Sequence, residues 1–185
     1  ERADPLIVME LSDAGYRRPR VVGEIDAALA QTIDAVCPGA NIRHDPARLE
    51  ADYHPVWGPL LEARLGWSTD PALRLNASSG GGLSALLVHL LESGQVDYVV
   101  QTAVSPDSPV RNALAISTGR DDVFHAAGSR YAPSSPLEDI GERLGAPGRF
   151  AFVGKPCDVA ARFLSDEERV EYCATTLESL AQLEG

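Results

Sequence analysis

The stretch Ser78-Ser79-Gly80-Gly81-Gly82-Leu83-Ser84-Ala85-Leu86-Leu87 decides the fold class. Its glycines open directly into an apolar helix that reaches Glu92, where Ser93-Gly94 ends it. Val96 to Val104 follows as a strand, with Ala113 to Ser117 as its antiparallel partner. Ser105-Pro106-Asp107-Ser108-Pro109 between them has loop chemistry. A helix feeding a pair of apolar strands predicts an α/β (or α+β) domain: a mixed β-sheet flanked by helices.

The rest of the chain extends this pattern. Upstream, Leu65-Gly66-Trp67-Ser68 reads as a short strand, and Asp70 as the cap of a helical turn with Pro71 at its first position. Residues 24–36 read as a helix from the spacing of Ile25, Leu29, Ile33 and Val36, stopped by Cys37-Pro38-Gly39. Residues 38–62 form a long, proline-interrupted connection. Leu6 to Leu11, the turn Ser12-Asp13-Ala14-Gly15 and the run into Val21-Val22 suggest a small hairpin. Downstream, Asp121 to Ala127 is a short helix. Pro136 to Leu144 is another, capped by Ser135 with Glu138 three residues on. Phe150 to Val153 is a buried strand that turns through Gly154-Lys155-Pro156-Cys157-Asp158 into a further helix, and the tail 165–185 also reads as helix. Sheet strands are therefore expected near 65–68, 96–104, 113–117 and 149–154, under helices at 24–36, 80–92 and 136–144.

Bulk properties restrict the function classes. The chain has 185 residues, enough for one compact domain, and is 44% hydrophobic. Its net charge of −11 opposes binding to phosphate backbones and to anionic membrane surfaces, so neither nucleic acid nor a membrane is an expected partner. A local cluster of backbone N–H groups can still hold an anionic cofactor against that diffuse charge. No apolar run approaches the about 20 residues that span a bilayer. Three scattered cysteines, Cys37, Cys157 and Cys173, without a C-x-x-C pair, point to a reducing, cytoplasmic setting rather than a disulfide framework. The chain starts at Glu1, which reads as a fragment, a trimmed product or a processed one.

Three segments carry candidate chemistry. The first is the glycine turn itself: free N–H groups at a positive helix end, hydroxyls from Ser78 and Ser79, and no Cβ at Gly80 or Gly81 suit a phosphate. The same residues also suit a capped helix behind a flexible loop. No lysine follows as in a Walker loop, and G-x-G-x-x-G is absent. The second is Gly128-Ser129-Arg130-Tyr131, where Arg130 suits a phosphate oxygen and Tyr131 suits stacking on a planar ring. Read alone, it also suits an ordinary surface loop. The third is Gly154-Lys155-Pro156-Cys157. A thiol at a helix start beside a lysine fits a reactive group or a metal ligand, and equally a small buried residue at a tight turn. Lys155 could face a phosphate or a flavin ring. His125, just before the second segment, could donate a proton.

Together the three segments resemble one family. Ser78-Ser79-Gly80-Gly81 with Ser84-Ala85-Leu86-Leu87 looks like its S-S-G-G-x-x-S-A-L-L block. Gly128-Ser129-Arg130-Tyr131 looks like its G-S-[KR]-Y block, and Phe152 to Ala161 looks like its F-V-G-x-P-C-x-x-A-A block. The family is that of the coenzyme F420 hydrogenase/dehydrogenase beta subunits, which includes the 7-hydroxymethyl chlorophyll a reductases. The resemblance covers about residues 5–162.

This likeness implies a flavin-dependent oxidoreductase or electron-transfer subunit. Such a protein carries FAD and passes electrons between flavin, iron–sulfur clusters and a deazaflavin such as coenzyme F420. By position it assigns FAD binding to Ser78, Ser79, Gly80, Gly81, Gly128, Ser129, Arg130, Tyr131 and Lys155, with Lys155, Cys157 and His125 as catalytic candidates. It suggests other redox subunits, or further copies of the chain, as partners. Val36-Cys37-Pro38-Gly39 resembles the end of the family's ferredoxin-like cysteine cluster, making Cys37 and Cys157 the metal-ligand candidates, but the earlier cysteines are absent. Residues 1–62 then read as a remnant of a ferredoxin-like or linker region, and 63–185 as the flavin-binding α/β domain. The alternative is a non-catalytic remnant of the same scaffold that binds a nucleotide or a partner.

Overall fold

The structure, a computed structural model, describes residues 6–37, 52–56, 58–60, 62–138 and 140–162. They fall into two units that interleave along the chain. One comprises Glu1–Gly23 and Arg43–Val153, the other Glu24–Ile42 and Gly154–Gly185.

The first unit holds a three-stranded mixed sheet. Its central strand β5 (Tyr98–Ser105) pairs antiparallel with β6 (Ser108–Ser117) and parallel with β7 (Phe150–Phe152). The β6 strand is longer than the expected 113–117, because the turn between it and β5 is tight and the pairing continues past a bulge at Val104/Ser105. Helix α2 (Pro71–Asn76), a 3-10 turn (Ser79–Gly81) and helix α3 (Gly82–Glu92) precede the sheet, and α4 (Arg120–His125) follows β6. Leu87 and Val88 of α3, Leu73 of α2 and Val123 of α4 form one core cluster with Val99 and Ala151, which are register partners on β5 and β7. Burying such side chains contributes roughly 1.5–3 kcal/mol each. Gly94, with φ +68, ends α3 as expected.

Two hairpins complete this unit: β1 (Ile7–Leu11) with β2 (Arg17–Val21), as the turn chemistry predicts, and β3 (Asp52–His54) with β4 (Gly58–Leu60), inside the segment read as a connection. Pro19 lies within β2, tolerated because a two-stranded ribbon leaves the strand an outer edge.

The expected strand at 65–68 is absent. These residues have no ladder partner, and Leu65 and Trp67 stand exposed. Ser68 alone is buried, its N–H donating to the Gly80 carbonyl at 2.8 Å. The helix expected over 136–144 is confined to α5 (Ile140–Leu144). Glu138 pairs with Arg17 of β2 instead of closing a capping box with Ser135.

The second unit contains α1 (Ala27–Val36) and, over the described residues, α6 (Pro156–Arg162). Asp26 caps α1, accepting from the Leu29 N–H at 2.7 Å. The tail 165–185 and Cys173 lie outside the described residues.

Candidate functional site

The topology gathers two of the three segments at one end of the sheet. Helix α3 runs back through a short turn into β5, so its N-terminus lies toward the carboxyl end of that strand. The 128–132 loop is fastened to the stretch of β6 that pairs with the same end: Asn112 stands opposite Val104. In open sheets with parallel strands, ligands sit beyond the carboxyl ends. A direct bond joins the segments: the Ser129 N–H donates to Ser78 Oγ at 2.7 Å, across 51 residues of sequence.

The glycine turn has an unusual backbone. Ser79, Gly80 and Gly81 all take positive φ, at +52, +68 and +75. A Cβ at Gly80 would lie 2.9 Å from Trp67 Cβ, and one at Gly81 would lie 2.8 Å from the Leu73 carbonyl oxygen. Both glycines are therefore required by the fold itself. Gly82 is different: its φ is −57, and an added Cβ would meet nothing within 4 Å. It starts α3, whose first turn receives no side-chain cap from Gly81. The N–H groups of a first helical turn have no intrahelical acceptor. Ser78 accepts from Ser129 yet keeps its own hydroxyl proton, and Ser79 is exposed. These donors fit an anionic phosphate in chemistry and placement.

Arg130 is engaged elsewhere. Its Nε donates to Asn112 Oδ1 at 3.0 Å, and Nη2 donates to the carbonyls of Pro109 at 3.0 Å and Arg111 at 3.3 Å. These carbonyls lie on the edge strand β6, so Arg130 shields an edge that would otherwise invite pairing. Asn112 also donates from Nδ2 to the Ala132 carbonyl at 2.7 Å. Tyr131, between the two anchored residues, is 96% exposed.

His125 closes α4, its Nδ1 2.7 Å from the Asp121 carbonyl. A carbonyl can only accept, so Nδ1 carries the proton and Nε2 faces outward as an acceptor in the neutral ring.

Lys155 and Cys157 stand on the second unit. Lys155 precedes α6, and its backbone N–H donates to Asp158 Oδ2 at 3.0 Å, the return half of a capping box. Its Nζ lies 3.9 Å from the same oxygen. Cys157 is a free, half-buried thiol 4.0 Å from Asp158 Oδ1. Cys37 is free and exposed at the end of α1. Among the described residues no group of three or more His, Cys, Asp or Glu side chains gathers as a metal site.

Sequence reasoning missed several partners here. Asn112 looks in the sequence like a loop residue before a strand. Trp67 packs under Gly80 with the Arg74 guanidinium 4.9 Å from its ring centroid. Asp70 caps α2 as expected, accepting from Ala72 N–H at 2.8 Å and Leu73 N–H at 3.2 Å, but also pairs with Arg120 of α4. The Arg120 guanidinium, then the Leu73 N–H, hold the Asp70 carboxyl below its ordinary range. Asp122 is lowered likewise by the backbone N–H and hydroxyl of Thr118. Nothing in local spacing announces the pairing of Asp70 with Arg120 across 50 residues.

Comparison with known proteins agrees with the motif reading. Residues 63–140 match the family model described as coenzyme F420 hydrogenase/dehydrogenase, beta subunit N-term. This segment holds the first two blocks and ends before the third. No curated protein matches the chain. Among solved structures, a chain of the F420-reducing NiFe hydrogenase complex from Methanosarcina barkeri, studied by xenon derivatization, is similar at 27% identity with a TM-score of 0.46. The likeness covers 51% of this chain and 33% of that one, so this chain matches about a third of that chain's length.

Proposed function

We propose, with the beta-subunit likeness of residues 63–140 as the premise, that this chain is an FAD-carrying redox subunit. One observation carries the reading: the Ser129 to Ser78 bond unites the two family blocks within the matched segment beside an uncapped helix start. Bound FAD would supply hydride and single-electron exchange. The amides of the first turn of α3, with the Ser78 and Ser79 hydroxyls, would hold its phosphates, and the exposed ring of Tyr131 would lie against its planar part. Gly80 and Gly81 shape the turn that aims those donors. Gly128, at φ +101, turns the second loop toward it. Arg130 acts by fastening that loop, leaving only Nη1 for a phosphate. His125, presenting Nε2, is proposed as a proton-holding group; Lys155 and Cys157, which belong to the second unit, are proposed as catalytic candidates on the family likeness alone.

The same proposal includes a deazaflavin such as coenzyme F420 as hydride acceptor, iron–sulfur subunits or further copies of the chain as partners, and a cytoplasmic setting. Among the described residues no helix is long and apolar enough to cross a membrane. A division near residue 62, with the flavin-binding segment after it, belongs to this reading too.

A second reading has an observation in its favour. Gly80 and Gly81 are fixed by contacts with Trp67 and Leu73, so the turn would persist in a scaffold that binds only a nucleotide or a partner. Titrating FAD into the purified chain separates the two. Saturable binding with a flavin absorption band on the protein supports the first, and ADP binding without FAD binding supports the second.

A further inference from the structure

The loop that carries Tyr131 is tied down at every residue around it. Ser129 is held by its N–H to Ser78 Oγ, Arg130 by its guanidinium to β6, and Ala132 by its carbonyl to Asn112 Nδ2. A single side chain, Asn112, engages the residues on both sides: Oδ1 accepts from Arg130, and Nδ2 donates to Ala132. Asn112 is itself half-buried on a strand in register with β5. Yet the ring between these anchors is 96% exposed. Ordering backbone on both sides of a residue costs conformational entropy, and here no burial of the aromatic ring offsets it. A rigid aromatic held out in water, with few rotatable bonds left to freeze, is what a ring-binding surface requires.

We infer that Asn112 is the positioning residue of a stacking platform whose ring is Tyr131, and that this platform takes the planar ring system of a flavin. The inference rests on the flavin-binding reading above and adds to it a residue that touches no ligand. Asn112 acts by holding the Ala132 carbonyl on one side of the ring and the Arg130 guanidinium on the other.

The test uses the whole chain and two probes, FAD and ADP. Asn112→Asp keeps the acceptor for Arg130 and removes the donor to Ala132. Tyr131→Ala removes the ring, and Tyr131→Phe restores it. In the wild type and Tyr131→Phe, the stacked ring should keep bound FAD weakly fluorescent. In Asn112→Asp and Tyr131→Ala, the fluorescence of bound FAD should rise and FAD affinity should fall by about three- to tenfold, with ADP affinity unchanged. Combining the two substitutions should weaken FAD no further than Tyr131→Ala alone. Wild-type fluorescence in Asn112→Asp, or additive losses in the double variant, would overturn the positioning role. Wild-type fluorescence in Tyr131→Ala, or equal losses for FAD and ADP, would overturn the platform. Failure of the wild type itself to bind FAD would overturn the functional reading first, and is recognised because no variant then differs from it.

Discussion

Gly81 and Gly82 are neighbours in a run of three glycines, yet the structure gives them opposite sensitivities. At Gly81 the backbone is left-handed, with φ +75, and a Cβ would sit 2.8 Å from the Leu73 carbonyl oxygen and 3.2 Å from the Arg74 nitrogen. The left-handed conformation costs an L-residue roughly 1–2 kcal/mol, and forcing the backbone apart adds roughly 1–3 kcal/mol. Gly81→Ala should therefore destabilise the protein by about 2–5 kcal/mol, lowering Tm by roughly 4–20 °C. At Gly82 the backbone is helical and the space is open, so Gly82→Ala should be neutral or stabilise by up to about 1 kcal/mol through the unfolded chain. Urea unfolding of both variants beside the wild type measures the difference directly. If the two variants came within about 0.5 kcal/mol of each other, the packing of Gly81 on Leu73 would be refuted. The contrast also identifies the informative ligand probe. Substitution at Gly80 or Gly81 tests the fold before any cofactor, whereas Gly82→Ala leaves the fold intact while crowding the helix start, and should weaken FAD if phosphate approaches there.

Three further outcomes are expected. Asp70→Asn should lower Tm at neutral pH by weakening both the cap of α2 and the pair with Arg120. Because the folded carboxyls of Asp70 and Asp122 lie below their ordinary value of 3.8, they stabilise the fold above that value and lose this contribution as pH falls through their lowered folded values, so the Asp70→Asn deficit should close in strong acid. Ser117→Ala strands the buried Gln101 amide, now donating to Ser117 Oγ at 2.8 Å, and should cost about 1–3 kcal/mol in denaturant unfolding, most of it recovered in Gln101→Leu/Ser117→Ala. Iron analysis of the purified chain should find no cubane cluster ligated by its own residues alone, since it has three cysteines and such a cluster takes about four thiolates.

The amino-acid sequence by itself determined whatever depends on neighbours along the chain. The period of Leu83 to Leu91 and the stop at Gly94 define α3, Asp70-Pro71 defines the start of α2, and the apolar runs at 96–104 and 150–153 define strands, because capping and amphipathic periodicity act over a few residues. The motif residues Ser78 to Gly81 and Gly128 to Tyr131 were legible for the same reason. Only the tertiary structure decided which of them meet and what each does there. Ser78 accepts from Ser129 because the start of α3 and the start of β6 arrive at one end of the sheet, an outcome of topology rather than of local preference. Arg130, which local chemistry marks as a phosphate ligand, is drawn to the open carbonyls of β6, since an edge strand offers acceptors that no spacing rule can reveal. Glu138, patterned for a cap, goes to Arg17, because an ion pair forms with whichever charge the fold brings near. The strand expected at 65–68 failed because a strand needs a partner as well as a pattern, and the turn at Gly80 took up Ser68 instead.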